Sequence, residues 1–198
     1  MSFMKNRWTL LGIVVVLGTI ADQVTKYLAA THLKPIRFHT VIDGFFNLNY
    51  STNPGAFFSL GASLDPTTRR ILFVVATIAA MGLIGRLYQK AHELQRALKW
   101  ALALLLAGAV GNLIDRVLYG EVIDFVQLHY KDVFRWATFN IADVWITFGL
   151  VLLVYDLIFP VRLPKAETEA ETAKAAAAKS SSARSAEAAA EREEKVDS

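Results

Sequence analysis

Residues 98–118 read LKWALALLLAGAVGNLIDRVL. The run is apolar over about the 20 residues that cross ~30 Å of hydrocarbon, yet its second half carries Gly108, Asn112, Asp115 and Arg116. Spacings of four, three and one put these four residues on one side of a helix. Ionisable groups at membrane depth are expensive to keep unless they face protein, and a small residue such as Gly108 lets a neighbouring helix come close. The stretch therefore predicts a transmembrane helix whose outer end turns a polar stripe into a bundle. Asp115 and Arg116 are adjacent in sequence, so each is expected to find its partners on other segments. The plain structural explanation is a hydrogen-bonded knot that fixes helix packing, and Arg116 also has the reach to snorkel to the interface.

Working outward, three more apolar stretches occupy 8–21, 71–87 and 142–159. They are apolar around their whole circumference, which argues against a soluble bundle with one buried stripe per helix. The expectation is an all-α membrane protein of four transmembrane helices, at about 8–28, 71–87, 98–118 and 142–159, forming one domain over 1–164. Lys5 and Arg7 precede the first helix, Arg86, Lys90, Arg96 and Lys99 crowd the second connection, and Arg162 and Lys165 follow the fourth helix. Lys34, Arg37, Arg69, Arg70, Lys131 and Arg135 are spread over the two longer loops, so the positive-inside rule puts both termini in the cytoplasm. Asp22 and Lys26 stand where a cleavage site would need small residues, which favours a retained anchor over a signal peptide. Residues 165–198 are rich in Ala, Glu, Lys and Ser with nothing to bury, and are expected to be a disordered or fraying tail.

Composition narrows the chemistry. The 198 residues include no cysteine, which excludes disulfides, thiol catalysis and thiolate metal sites. The formal charge is only +3 and there is no basic stripe interleaved with aromatics, so nucleic acid is not an expected partner. His92-Glu93-Leu94-Gln95-Arg96 starts like a zinc-protease helix but has Arg96 where a second histidine is needed. His32, His39 and His129 lack ligand spacing, and there is no Gly-x-Ser-x-Gly elbow or phosphate-cradling loop. No metal and no cofactor are expected.

The outer loops predict extended structure. Ile36, Phe38, Val41, Ile42, Phe45, Phe46, Leu48 and Tyr50 flank the turn signal Asp43-Gly44, which reads as a hairpin. Residues 121–128 read as a further strand, and 51–64, with Asn53-Pro54-Gly55-Ala56-Phe57-Phe58, as an interfacial loop or short helix. The result is a small extracytoplasmic β-platform at the membrane surface.

On that platform the candidates for chemistry gather. Asp124 lies in the strand-like Val122-Ile123-Asp124-Phe125, and Asp143 opens the fourth helix in Phe139-Asn140-Ile141-Ala142-Asp143. Singly, each has a structural explanation, since Asp143 complements a helix N-terminus and Asn140 is placed to cap it. Together, at neighbouring outer helix ends, two carboxylates able to share one proton are the minimal equipment of an aspartic peptidase. Asp22 and Lys26, one turn apart, are either an i,i+4 ion pair or a grip on an anionic or polar substrate group. Asn53 is a turn residue whose aromatic neighbours allow a substrate-facing role. A different class, a proton- or ion-coupled carrier, would use Asp22, Lys26, Asp115 and Arg116 as a relay. Against it, the inner halves of the helices are nearly bare of ionisable groups.

Five motifs in order, Asp22-Gln23-Val24-Thr25-Lys26, Asn53-Pro54-Gly55-Ala56-Phe57, Gly108-Ala109-Val110-Gly111-Asn112-Leu113-Ile114-Asp115-Arg116, Val122-Ile123-Asp124-Phe125 and Phe139-Asn140-Ile141-Ala142-Asp143, cover the chain from Trp8 to Pro160. The set resembles lipoprotein signal peptidase, the signal peptidase II family of bacterial membrane aspartic peptidases. The resemblance implies a four-helix inner-membrane enzyme with a β-cradle and an interfacial helix, cutting diacylglyceryl-modified prolipoproteins before the lipidated cysteine. It implies Asp124 and Asp143 as the catalytic pair and Asn53, Asn112, Arg116 and Asn140 as lining or supporting the substrate pocket. Asp22, Lys26, Asp115 and Gly108 take supporting roles. The expected partners are prolipoprotein substrates and membrane lipids, with a monomer as the active form and the site near the periplasmic face. Ala107 departs from the pattern, where the family often has a second glycine.

Overall fold

Asp65 and Pro66 begin the second long helix further out than hydropathy predicts. The Asp65 carboxylate accepts from Thr67 N at 3.1 Å and Thr68 N at 3.0 Å, with proline in the first turn. The computed structural model describes residues 7–55, 64–131 and 133–161. Among them α1 spans Arg7–Leu28, runs on through a π-helical Ala29–Leu33 and a single turn α2, Lys34–Ile36, and stops at Arg37 with φ 61°. Helix α3 spans Pro66–Lys90, α4 Arg96–Leu118 and α5 Ile141–Ile158. The predicted 71–87 is thus too short at both ends, because a capped polar turn extends the helix beyond its apolar run. The other three boundaries lie close to those read from sequence, although α1 continues into the π-helical segment.

Four helices are long and apolar enough to cross a membrane. Their outward faces remain apolar in the folded chain, as with Leu17, Leu83, Val151 and Leu157, all exposed. Exposed apolar surface of that extent belongs against lipid. The protein is a multi-pass membrane protein.

Close helix approach comes from glycine. A Cβ at Gly108 would strike the Ala142 carbonyl and Ile146, and one at Gly149 would meet Leu105 and the Ala101 carbonyl, so α4 and α5 touch nearly backbone to backbone. Gly18 of α1 receives Ala107, and Trp145 Nε1 donates to the Gly18 carbonyl at 3.2 Å. The methyl group that departs from the family pattern therefore has a seat of its own. Helix α3 joins through Tyr88, which packs with Leu102 and Ala103. At that end Glu93 takes Lys99 at 2.9 Å and Arg7 at 3.6 Å.

At the opposite end lies a four-stranded antiparallel sheet in the order β1 (Phe38–Ile42), β2 (Phe46–Asn53), β3 (Val122–Tyr130), β4 (Phe134–Arg135). The hairpin turns at Asp43-Gly44 as predicted, with Gly44 at φ 70°. Strand β4 escaped the sequence reading. Phe125 of the sheet packs on Ala29 and Leu33, with Leu48, Tyr50, Val126 and Ile141 around them, which fastens the sheet over the outer end of α1. The predicted interfacial segment lies partly outside the described residues, since 51–53 belong to β2 and 56–63 are not described. The tail expected over 165–198 also lies outside them.

Candidate functional site

The base of the site is a buried ion triad. Lys26 Nζ, on α1, meets Asp22 Oδ2 at 2.8 Å and Asp115 Oδ2, on α4, at 2.9 Å, and donates to Asn112 Oδ1 at 3.0 Å. The three charged side chains are 0–2% exposed. That is the ion pair offered as the structural explanation of Asp22 and Lys26, and it supplies Asp115 with the partner that adjacent Arg116 does not provide. Gln23 was not singled out from the sequence, yet its Nε2 reaches Asp22, the Gly111 carbonyl and Asp115, at 3.1–3.2 Å. An amide next to an aspartate in an apolar helix was the available signal. Gly111 matters for the same reason, because a Cβ there would run into the Asp22 carboxylate.

Each triad carboxylate also holds a backbone amide outside its own helix. Asp22 Oδ1 accepts from Ala142 N at 2.8 Å, and Asp115 Oδ2 accepts from Ile123 N at 3.1 Å. The next residues in the chain are Asp143 and Asp124. Both candidate aspartates thus follow directly upon an amide pinned by the triad, one at the start of α5 and the other on β3.

Above the triad, two asparagines join those aspartates. Asn140 caps α5 in a reciprocal box, its Oδ1 accepting from Asp143 N at 3.0 Å while Asp143 Oδ2 accepts from Asn140 N at 3.2 Å. Its Nδ2 donates to Asp124 Oδ1 at 2.7 Å and to Asn112 Oδ1 at 3.2 Å. Asn112 Nδ2 in turn donates to Asp143 Oδ1 at 2.9 Å. The cap predicted for Asn140 is present, but the same side chain also spans to the second carboxylate.

Burial pushes the Asp124 carboxyl up to about 7, and the neighbouring charge of Asp143 pushes the same way against hydrogen bonds from Asn140 and Asn53. A carboxyl that titrates near neutrality beside a second carboxylate is suited to share a proton with it.

One wall is built from β2, α3 and α4. Ser51 of β2 pairs with Asp124, and Asn53 pairs with Val122. Asn53 Oδ1 accepts from Gly55 N at 2.9 Å, and Gly55, at φ 95°, sits so close to Phe73 that a Cβ would collide with the ring. Arg116 lies over the other region of that wall, 5.6 Å from the Phe73 centroid. Nothing in the sequence marked Phe73, one apolar residue among many. Gly108 acts through packing alone, by seating Ala142 and so the start of α5.

Taken together, the polar groups gather at the sheet-bearing end of four apolar helices, one polar cluster in a multi-pass membrane protein. The signal peptidase (SPase) II family profile matches residues 14–159, and the chain belongs to that family. It is 44% identical over 138 residues to the lipoprotein signal peptidase of Desulforapulum autotrophicum, covering 70% of this chain and 85% of that one. With the lipoprotein signal peptidase of Janthinobacterium sp. it shares 45% over 146 residues, covering 74% and 86%. Two solved structures described as bacterial membrane enzymes superpose with a TM-score of 0.65 each, at 31% and 33% identity, covering 78% and 77% of this chain and 94% of theirs. The protein is a membrane peptidase. The carrier reading finds no support in these relatives.

Proposed function

We propose that this peptidase is of the aspartic type, and that it removes signal peptides from diacylglyceryl-modified prolipoproteins by cutting before the lipidated cysteine. Asp124 and Asp143 share the catalytic proton. One, ionised, takes a proton from a water held between them. The other, protonated, donates to the scissile carbonyl, and the departing nitrogen later receives the proton. Neighbouring carboxylates do not both ionise easily, so the proton is assigned to the pair and to neither member alone. The observation that carries this reading is Asn140, whose side chain bonds Asp124 at 2.7 Å while its main chain bonds Asp143 at 3.2 Å.

Further support comes from position. The pair lies where α4 and α5 meet the sheet, at the bilayer edge, so the acyl chains of a substrate stay in hydrocarbon while water reaches the peptide bond. Arg7, Arg86, Lys90, Arg96 and Lys99 belong to the opposite end, in keeping with cytoplasmic termini in a bacterial inner membrane and a site near the periplasmic face.

The test is single-turnover cleavage of a lipid-modified prolipoprotein by the purified protein, beside its Asp124→Asn and Asp143→Asn variants. Each variant is expected to lose on the order of 10³-fold or more, with the double variant scarcely worse than either, because residues acting as a unit are not additive. Substantial cleavage by either single variant sinks the assignment.

A further inference from the structure

Arg116 has more hydrogen-bonding capacity than the described residues use. It stands one turn beyond Asn112 on α4, half-buried, with one long bond from Nη1 to the Asn112 carbonyl at 3.4 Å. The ring of Phe73 lies 5.6 Å beneath its guanidinium. Among the described residues no carboxylate forms an ion pair with it, although its charge is felt at Asp143, Asp115 and Asp124. A guanidinium carries five N–H donors in a rigid fork, so most donors of this one have no partner among the described residues.

Hydrolysis creates a group that fits such a fork. The oxygen of water joins the acyl carbon, the C–N bond breaks, and both protons of the water end on the departing nitrogen, which leaves as an ammonium. The signal-peptide half is thereby left with a carboxylate where a neutral carbonyl stood. We propose that Arg116 is the receptor of this new carboxylate, so that the released signal peptide is held at its C-terminus and acts as a product inhibitor. The proposal rests on the reading of Asp124 and Asp143 as the dyad. A substrate carbonyl offers a neutral acceptor to the same fork, whereas the product offers two charged oxygens, and a charge-assisted bidentate contact is the stronger of the two. The Phe73 ring lies within cation–π distance of the guanidinium, 5.6 Å from its centroid, and favours its staying there.

The experiment compares two synthetic signal peptides that end at the residue before the cysteine, one a free acid and the other a C-terminal amide. Each is titrated as an inhibitor of the full-length enzyme in nanodiscs of zwitterionic lipid, where anionic headgroups do not compete. With the wild-type protein the acid should inhibit about ten-fold more tightly than the amide, the scale of one charge-assisted hydrogen bond. In Arg116→Gln the preference should vanish or reverse, because the remaining negative charge of the dyad repels the acid. Arg116→Lys, which keeps the charge and loses the fork, should fall between. Equal inhibition by acid and amide in the wild-type enzyme overturns the proposal without recourse to any variant, and so does a preference that survives in Arg116→Gln. Failure of the dyad reading looks different, namely cleavage that persists in Asp124→Asn or Asp143→Asn whatever the ratio of the two inhibitors.

Discussion

Replacing Lys26 with methionine tests whether the ion triad supports the site. Methionine keeps the length and the apolar stem of lysine but removes the cation that both Asp22, at 2.8 Å, and Asp115, at 2.9 Å, share. Breaking a buried ion pair by removing one partner costs about 3–5 kcal/mol, because the other charge is left uncompensated. In a protein of this size that corresponds to a fall in melting temperature of roughly 6–20 °C. The loss should be largely recovered in the triple variant Asp22→Asn, Lys26→Met, Asp115→Asn, in which no charge remains unpaired and each asparagine Oδ1 can still accept from Ala142 N or Ile123 N. Thermal melting in nanodiscs measures both proteins, and cleavage under the same conditions reports whether the pinned amides still present Asp143 and Asp124 correctly. A Lys26→Met protein that melts within about 2–4 °C of wild type, roughly 1 kcal/mol, would refute the reasoning, as would a triple variant no more stable than the single one.

Three further outcomes follow from the same structure. Asp124 has a folded-state value of about 7 against an ordinary 3.8, so the folded state holds more protons between those values; stability therefore falls as pH rises from about 4 to 7, and the deficit is complete above 7. Asp124→Asn should accordingly melt above wild type at pH 8 by the equivalent of a few kcal/mol and lose that advantage at pH 4; an equal difference at both values contradicts the perturbed carboxyl. Cleavage should survive chelation, and activity lost in EDTA and restored by zinc would replace the acid–base dyad with a metal mechanism. Truncation after Pro164 should leave insertion and cleavage intact, since the removed sequence has almost no large apolar residue; a truncated protein that inserts but no longer cuts shows the tail to be part of the enzyme.

The parts legible from sequence were those written in local pattern. Hydropathy located four helices, Asp43-Gly44 located the hairpin turn, and the spacing of Gly108, Asn112 and Asp115 placed one stripe inside the bundle. Asn140 could be read as a cap because its partner, Asp143, is only three residues away. What tertiary contact decides was not legible. The i,i+4 pair Asp22 and Lys26 was visible, but not its third member, Asp115, because nothing local registers α1 against α4. The bridge from Asn140 to Asp124 joins residues from different elements across the start of α5. Asp124 and Asp143 could be read as a pair at neighbouring helix ends, but not the Asn140 side chain that bonds both of them. Helix α3 was read short since its first turn is stabilised by Asp65 and Pro66 rather than by apolar residues, and two-residue β4 is too brief to leave a pattern.

The two cations of the site differ in how far their donors are used, and that difference separates scaffold from binding group. The ammonium of Lys26 has three N–H bonds and three acceptors within 3.0 Å, namely Asp22, Asp115 and Asn112, so it is saturated and closed to solvent. Its service is geometric. It holds the two carboxylates that accept from the amides of Ala142 and Ile123, each adjacent to an aspartate of the pair. The guanidinium of Arg116 has five donors and, among the described residues, one long internal bond, and its contact with the Phe73 ring consumes none of the others. On the proposed reading, a saturated lysine and an arginine with donors to spare let one small polar cluster be rigid where alignment is needed and receptive where a peptide must be held.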